Sequence, residues 1–237
     1  MGEYDAITAA HYAAYRPPLH GPILERLLGN DRSDVLGLDV GCGTGRSSVA
    51  LAKYCRYVFA TDPSAEMLAH APEHPAVEFR RQTPAGLARQ LPGSRFGLVS
   101  FAGSLFYQNT AEVIVNFPSL LTPEATVLVY DFDVDFSFLF NMLNFTPPPG
   151  NYDHRCGFDG YPGHGLTLKK DWSETLTFTA TPTELTHLIC SVKEWREILL
   201  RGDSFGDLAG RVGASFIGAS TPLKARCFGK VYQYASI

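Results

Sequence analysis

The sequence lacks any apolar run near the roughly 18 residues that a membrane helix needs. The opening "MGEYDAITAA" has no basic start followed by an apolar core, so no secretory leader is expected. Lys and Arg form no block, and the formal charge is −4. Nothing therefore points to a phosphate backbone as partner. Cysteines are few and odd in number, at 42, 55, 156, 190 and 227, with no CxxC pair. That excludes a disulfide framework and suits reduced, mostly buried thiols in a cytoplasmic protein. Internal repeats and coiled-coil heptads are missing too, so nothing in the sequence sets the oligomeric state.

What is present is an ordinary globular composition, 45% apolar and 19% charged over 237 residues. That length suits one domain with a full core. Apolar runs and amphipathic segments alternate. Helices are expected at Pro22–Leu28, Ser47–Tyr54, from Pro63, over "GLARQL" (86–91) and at Ile114–Leu121. Strands are expected in "VLGLDV", "YVFATD", "VEFRRQ", "FGLVSFAG" and "ATVLVYDFD". Such alternation with short connections implies an α/β fold: a mostly parallel sheet covered on both faces. Ligands of such sheets sit beyond the carboxyl ends of the strands. Gly41, Asp62, residues 100–104 and residues 131–133 converge there.

After Asp135 the character changes. "FTPPPGNYDHRCGFDGYPGHG" (145–165) is rich in Pro, Gly and aromatics and reads as an irregular loop or lid. "DWSETLTFTA" resumes a strand, and "KARCFGKVYQYAS" supplies the last. Two short helices are expected between Pro182 and Leu200. Thr181 with Glu184 would cap the first, and Ser191 with Glu194 the second.

The chemistry concentrates in "LGLDVGCGTGRSS". A nicotinamide cofactor, a phosphate and a nucleoside are all candidates for such a glycine turn. The dinucleotide fingerprint GxGxxG fails, because the third glycine, Gly45, arrives one residue early. The phosphate loop GxxxxGK[S/T] fails as well, since Arg46 stands after the last glycine. Asp39 ends the first strand and Asp62 the second. A carboxylate at the second position can accept both hydroxyls of a ribose. Asp39 would be unwelcome beside a diphosphate but not beside a cationic amino-acid head. A nucleoside joined to an amino acid satisfies both.

On these residues, "LDVGCGTGRSS" with the downstream "ATDPSAEML", the chain resembles the class I S-adenosylmethionine-dependent methyltransferases, and their small-molecule branch in particular. The E/DxGxGxG signature is matched by Asp39, Gly41, Gly43 and Gly45. The resemblance covers residues 12–135 well and the remainder weakly. It implies a doubly wound, seven-stranded, Rossmann-like sheet whose last strand is antiparallel. It also implies a single domain over 1–237, with a cofactor-binding core at 12–135. Residues 136–200 would then form a substrate-covering lid with an interrupted sheet element. S-adenosyl-L-methionine would be the cofactor, its methionine part held by Gly41, Cys42, Gly43 and Gly45 and its ribose by Asp62, with Pro63 and Met67 alongside. "HYAAYRP" resembles the family's Tyr/Arg-Pro element, so Tyr15 or Arg16 would close over the cofactor, with Arg16 facing the methionine carboxylate. Gln82 and Thr83 would stand near the adenine, and Phe101 among the cofactor contacts.

Two departures bear on catalysis. Gly97 replaces the Asp that the family often places in its fourth strand. Relatives often carry His-Trp after that strand, where this chain has Phe106 and Tyr107. Tyr107 and, on the lid, His154 are the candidate catalytic residues, with Tyr152, Asp153, Asp159, Tyr161 and His164 nearby in sequence. An imidazole can accept a proton near neutral pH. No metal site is assigned: His154, Cys156 and His164 fit no zinc spacing, and Asp131, Asp133 and Asp135 have simpler partners. Phe101, Phe106, Tyr107, Phe132, Phe136, Phe138, Phe140, Phe145, Trp172 and Trp195 suit a cavity for an apolar or aromatic substrate. The implied reaction is methyl transfer to a small organic acceptor, with O-methylation slightly favoured by family frequency. The alternatives are a protein or RNA methyltransferase, an inactive cofactor-binding scaffold and, against the glycine spacing, a dehydrogenase.

Overall fold

The computed structural model describes residues 5–30, 33–83, 86, 93, 95–159, 165–214, 216 and 218–235. Seven strands form one sheet in the order β3-β2-β1-β4-β5-β7-β6. They are β1 (Leu36–Val40), β2 (Tyr57–Asp62), β3 (Val77–Arg81), β4 (Phe96–Ala102), β5 (Leu121–Val134), β6 (Leu166–Ala180) and β7 (Thr221–Tyr234). β1 to β5 run parallel, and β7 lies antiparallel between β5 and β6. The doubly wound sheet with its antiparallel last strand thus forms as expected.

The sheet has a core on each face because the long strands alternate. Along β5, Leu128, Tyr130 and Phe132 enter one buried cluster, and Val127 and Val129 the other. The first face is covered by α1 (Ala6–Ala14), α2 (His20–Leu28), α3 (Arg46–Leu51), α7 (Pro182–Cys190) and α9 (Phe205–Gly213). On the second face α5 (Thr110–Leu120) and Phe158 of the irregular segment pack against β4 and β7. The remaining helices are α4 (Ala65–Leu68), α6 (Ser137–Met142) and α8 (Lys193–Leu199).

Local chemistry explains most ends. Thr181 caps α7 in a full capping box with Glu184 and has Pro182 behind it. The second capping box does not form. Val192 precedes α8 without a side-chain cap, and Ser191 Oγ donates back to the Leu188 carbonyl, 2.6 Å away. Ser191 is occupied in closing α7 and so cannot open α8. An unforeseen box, Ser204 with Asp207, opens α9. α1 is a full helix, capped by Asp5, which accepts from Thr8 N at 2.7 Å. α6 was likewise not legible as a helix. The helix expected over 86–91 lies, apart from Gly86, outside the described residues, as do Tyr161 and His164. Residues 146–153 and 156–157 carry no helix or strand, in keeping with the irregular segment expected there. Cys42, Cys55, Cys190 and Cys227 are buried free thiols, and Cys156 is half-buried. Among the described residues no helix is long and apolar enough to cross a membrane.

Candidate functional site

The glycine turn joins β1 to α3. Gly41, Gly43 and Gly45 all have positive φ, at 70°, 55° and 84°. A β-carbon on Gly41 would lie 2.6 Å from Ser104 Cβ, and one on Gly45 2.6 Å from the Phe79 ring. Both conformation and crowding therefore demand glycine. Gly41 N and Cys42 N donate to the Thr61 carbonyl at 2.7 and 3.0 Å, so the turn is tied to β2.

Asp39 lies beneath the turn, fully buried, and accepts from the hydroxyls of Ser47, Ser48 and Ser100. Burial raises its pKa, against the three hydroxyl donors that favour the carboxylate. It acts as a knot linking β1, α3 and β4. The expectation that it meets a cationic head is corrected: its oxygens are spent on hydroxyls and no surface remains. Asp62 ends β2. One of its oxygens accepts from Gly43 N at 2.9 Å, the other from Ser64 N at 2.8 Å. Burial raises its pKa beyond what those two N–H donors offset. A carboxylate has about four acceptor positions, so roughly two remain for a ligand.

The other expected cofactor residues divide. Met67 is buried against Gly43, with its Cε 3.1 Å from where a Gly43 β-carbon would stand. The Cys42 thiol is buried and held protonated by burial, then by the charges of Asp39 and Asp62. The Pro63 carbonyl accepts from Arg81 Nε at 3.0 Å. Gln82 N donates to the Asp62 carbonyl at 3.2 Å, and Thr83 Oγ1 accepts from Gly86 N at 3.2 Å. Tyr15 is buried, and its hydroxyl donates to the Thr179 carbonyl at 3.3 Å. Burial, aided by the Glu184 charge, pushes its pKa up to about 12. Arg16 lies with its guanidinium carbon 4.4 Å from the Tyr12 ring centroid and 5.4 Å from that of Phe132. It makes no ion pair among the described residues. Phe101 is corrected: it is wholly buried, edge-on to Phe158 at 5.7 Å, and has no face for a ligand.

A second cluster adjoins the turn through Ser104, whose hydroxyl donates to the Val40 carbonyl, and Gly103 beside it. Asp131, on β5, is its centre. Asp131 Oδ2 lies 2.8 Å from the Tyr152 hydroxyl and 2.8 Å from His154 Nδ1, while Oδ1 accepts from Phe132 N at 2.8 Å. The Tyr152 hydroxyl is also 2.9 Å from the Gly103 carbonyl. A carboxylate only accepts, so His154 carries its proton on Nδ1 and presents a lone pair at Nε2. Asp133 Oδ1 is 3.8 Å from that Nε2. Burial lowers the imidazole pKa, but the Asp131 hydrogen bond and the charges of Asp131, Asp133 and Asp153 outweigh it and raise the pKa above 6.5. Tyr152 is kept protonated by burial and the Asp131 charge.

Rings enclose this pair. Tyr152 lies 4.8 Å from Phe106 and 5.3 Å from Tyr107 between centroids, and Tyr107 is 46% exposed at the rim. Sequence reasoning placed His154 and Tyr107 here but missed Asp131 as the imidazole's partner. The signal was the Asp131/Asp133 alternation, read only against a metal. The His20–Tyr130 contact below, 3.2 Å from Nδ1 to hydroxyl, carried no sequence signal.

Residues 38–124 match the family described as "Methyltransferase domain". A protein of Anaeromyxobacter dehalogenans described as a type II methyltransferase shares 17% identity, with 94% of this chain and 99% of that one covered and a TM-score of 0.67. A protein of Bacillus halodurans described as a methyltransferase shares 14%, with 91% and 98% covered and a TM-score of 0.52. The [4+2]-cyclase SpnF shares 13%, with 98% and 93% covered and a TM-score of 0.57. The search of curated protein sequences gave no match.

Proposed function

We propose that this chain is a class I S-adenosylmethionine-dependent methyltransferase that methylates a hydroxyl of a small organic acceptor held under the irregular segment; the domain match over residues 38–124 and the fold support the reading. The observation that carries the reading is the Asp131–His154 pair, oriented at 2.8 Å and walled by Tyr152, Tyr107 and Phe106. The residues present fit the cofactor. The left-handed glycines leave backbone where side chains would block approach, Asp62 keeps acceptor positions for a ribose, and Arg16, which forms no ion pair among the described residues, is a cation suited to a carboxylate. When bound, S-adenosylmethionine supplies an electrophilic methyl group on a sulfonium.

The chain's residues then have three tasks. Arg16 and Asp62 bind the two ends of the cofactor, and Asp39 stiffens the turn from below. The aromatic walls exclude water and hold the acceptor, since proximity and alignment supply much of the rate in a displacement. His154 Nε2 takes the acceptor's hydroxyl proton as the oxygen attacks, while Asp131 fixes the ring and, with Asp133, stabilises the imidazolium.

Calorimetry with S-adenosylhomocysteine tests the cofactor site; absence of binding by folded protein overturns it. Transfer of label from S-adenosylmethionine to a panel of phenols and alcohols tests the acceptor. Label appearing only in protein or RNA would establish a macromolecular substrate instead.

A further inference from the structure

The face of β7 that carries Tyr232, Lys230 and Phe228 is covered by the segment around residues 154–159. Asp159 engages Lys230 and Tyr232, and His154 stacks on Phe228. Among the described residues that cover stops beyond Phe228, and a cleft of about 500 Å³ opens. Its floor is the sheet itself, with Asp133, Arg226 and Thr175 in cross-strand register. Its aromatic wall is Phe136, Phe140 and Trp195, with Trp195 edge-on to the other two at 5.7 and 5.1 Å.

The charges of this cleft are unequally engaged. Asp135 accepts from Ser137 N at 3.0 Å, and the Ser137 side chain, then that backbone contact, hold its carboxyl below the usual range. Asp133 faces His154. Lys224 and Arg226, by contrast, form no ion pair among the described residues; Arg226 leans over the Phe228 ring, 5.3 Å from its centroid. Two residues apart on one strand, they share a face at a spacing of about 7 Å. Lys224 acts on Asp135 only through its charge and Arg226 lies cross-strand to Asp133, and neither cation closes an ion pair among the described residues; beside an aromatic wall the two form a receptor for a ring bearing a carboxylate.

We infer that this cleft is the outer subsite for the acceptor and binds an aromatic carboxylate. Lys224 and Arg226 hold its anionic end, and Phe136, Phe140 and Trp195 its ring. The inference rests on the function proposed above, because Asp133 both lines the cleft and faces the His154 Nε2 that would receive the proton.

The test reads binding, not turnover. In a Trp172→Phe protein, Trp195 is the sole tryptophan. Phenylacetate is expected to change its fluorescence saturably, while phenethylamine and benzyl alcohol do so at least tenfold more weakly. Lys224→Gln/Arg226→Gln, both exposed positions, is expected to weaken phenylacetate at least tenfold with an unchanged circular dichroism spectrum. No saturation, equal response to benzyl alcohol, or an unweakened double variant overturns the assignment. No methyl donor is present, so that failure leaves the methyltransferase reading standing, and S-adenosylhomocysteine calorimetry decides the latter separately.

Discussion

At the scale of single residues, two carboxylates close in sequence position to strand ends do opposite jobs. Asp39 is consumed by three hydroxyls, whereas Asp62 retains acceptor capacity beside two backbone donors. Asp62→Ala is expected to weaken S-adenosylhomocysteine about 10- to 100-fold by calorimetry, the loss of one or two hydrogen bonds to a charged group. His154→Gln should lower kcat/KM by about 10²- to 10⁴-fold and leave that affinity unchanged. The pH profile separates a base from a merely structural histidine. A protonated imidazole cannot accept, so kcat/KM should rise with pH through an apparent pKa above 6.5, because neighbouring charge raises this group. Asp131→Asn removes the largest raising influence, and the rising limb should move to lower pH. An unmoved limb would assign it to another group.

At the scale of elements, the turn is held as much by sterics as by hydrogen bonds. Gly45 caps α3 at φ 84°, and a β-carbon there would meet Phe79 at 2.6 Å. Gly45→Ala should therefore cost about 1–3 kcal/mol in urea unfolding. Thr181→Ala, which removes half of a complete capping box, should cost about 1 kcal/mol. The same elements explain what could be read from sequence alone. Period-two strands such as "ATVLVYDFD" and the glycine turn encode themselves locally, so the sheet and its glycine turn were legible. α6 was not, because "SFLFNM" is mostly apolar and six residues give no periodicity. Ser191 misled because one serine can finish a helix or begin the next, and tertiary context chooses. The Asp131–His154 pair joins residues 23 apart across an irregular segment, and no local pattern encodes such a meeting. Phe101 was misjudged for the same reason: a ring near a strand end can wall a site or fill the core, and only packing decides.

At the scale of the whole molecule, acid should loosen the N-terminal helices, α1 from α7 and α8 and α2 from the sheet. α1 is fastened by Arg196, whose guanidinium donates to Asp5 at 3.0 Å and Thr8 at 2.8 Å. Beside that clamp His11 and His187 meet Nδ1 to Nδ1 at 2.9 Å, which requires one proton between them, and both rings lie against Phe205. Below α2's first turn His20 contacts Tyr130. Burial, then neighbouring positive charge, lowers His11 and His20 to about 4, and burial lowers His187. A histidine that the folded state keeps neutral takes its proton first in the unfolded chain. Its stability contribution is therefore complete above 6.5 and is lost as pH falls from 6.5 toward 4. For His20 the loss is on the order of 3 kcal/mol. His154, with its raised pKa, works in the opposite sense below its own titration and offsets part of this. Asp5, lowered chiefly by its Thr8 backbone bond, weakens only at still lower pH, as its carboxylate protonates. Urea midpoints measured from pH 7.5 to 4.5 should thus decline through the interval. His20→Gln, unable to titrate, should flatten the decline, although it starts from a lower midpoint for loss of the Tyr130 contact. A wild-type midpoint constant across that range would show that the three half-buried histidines do not hold the N-terminal elements in place.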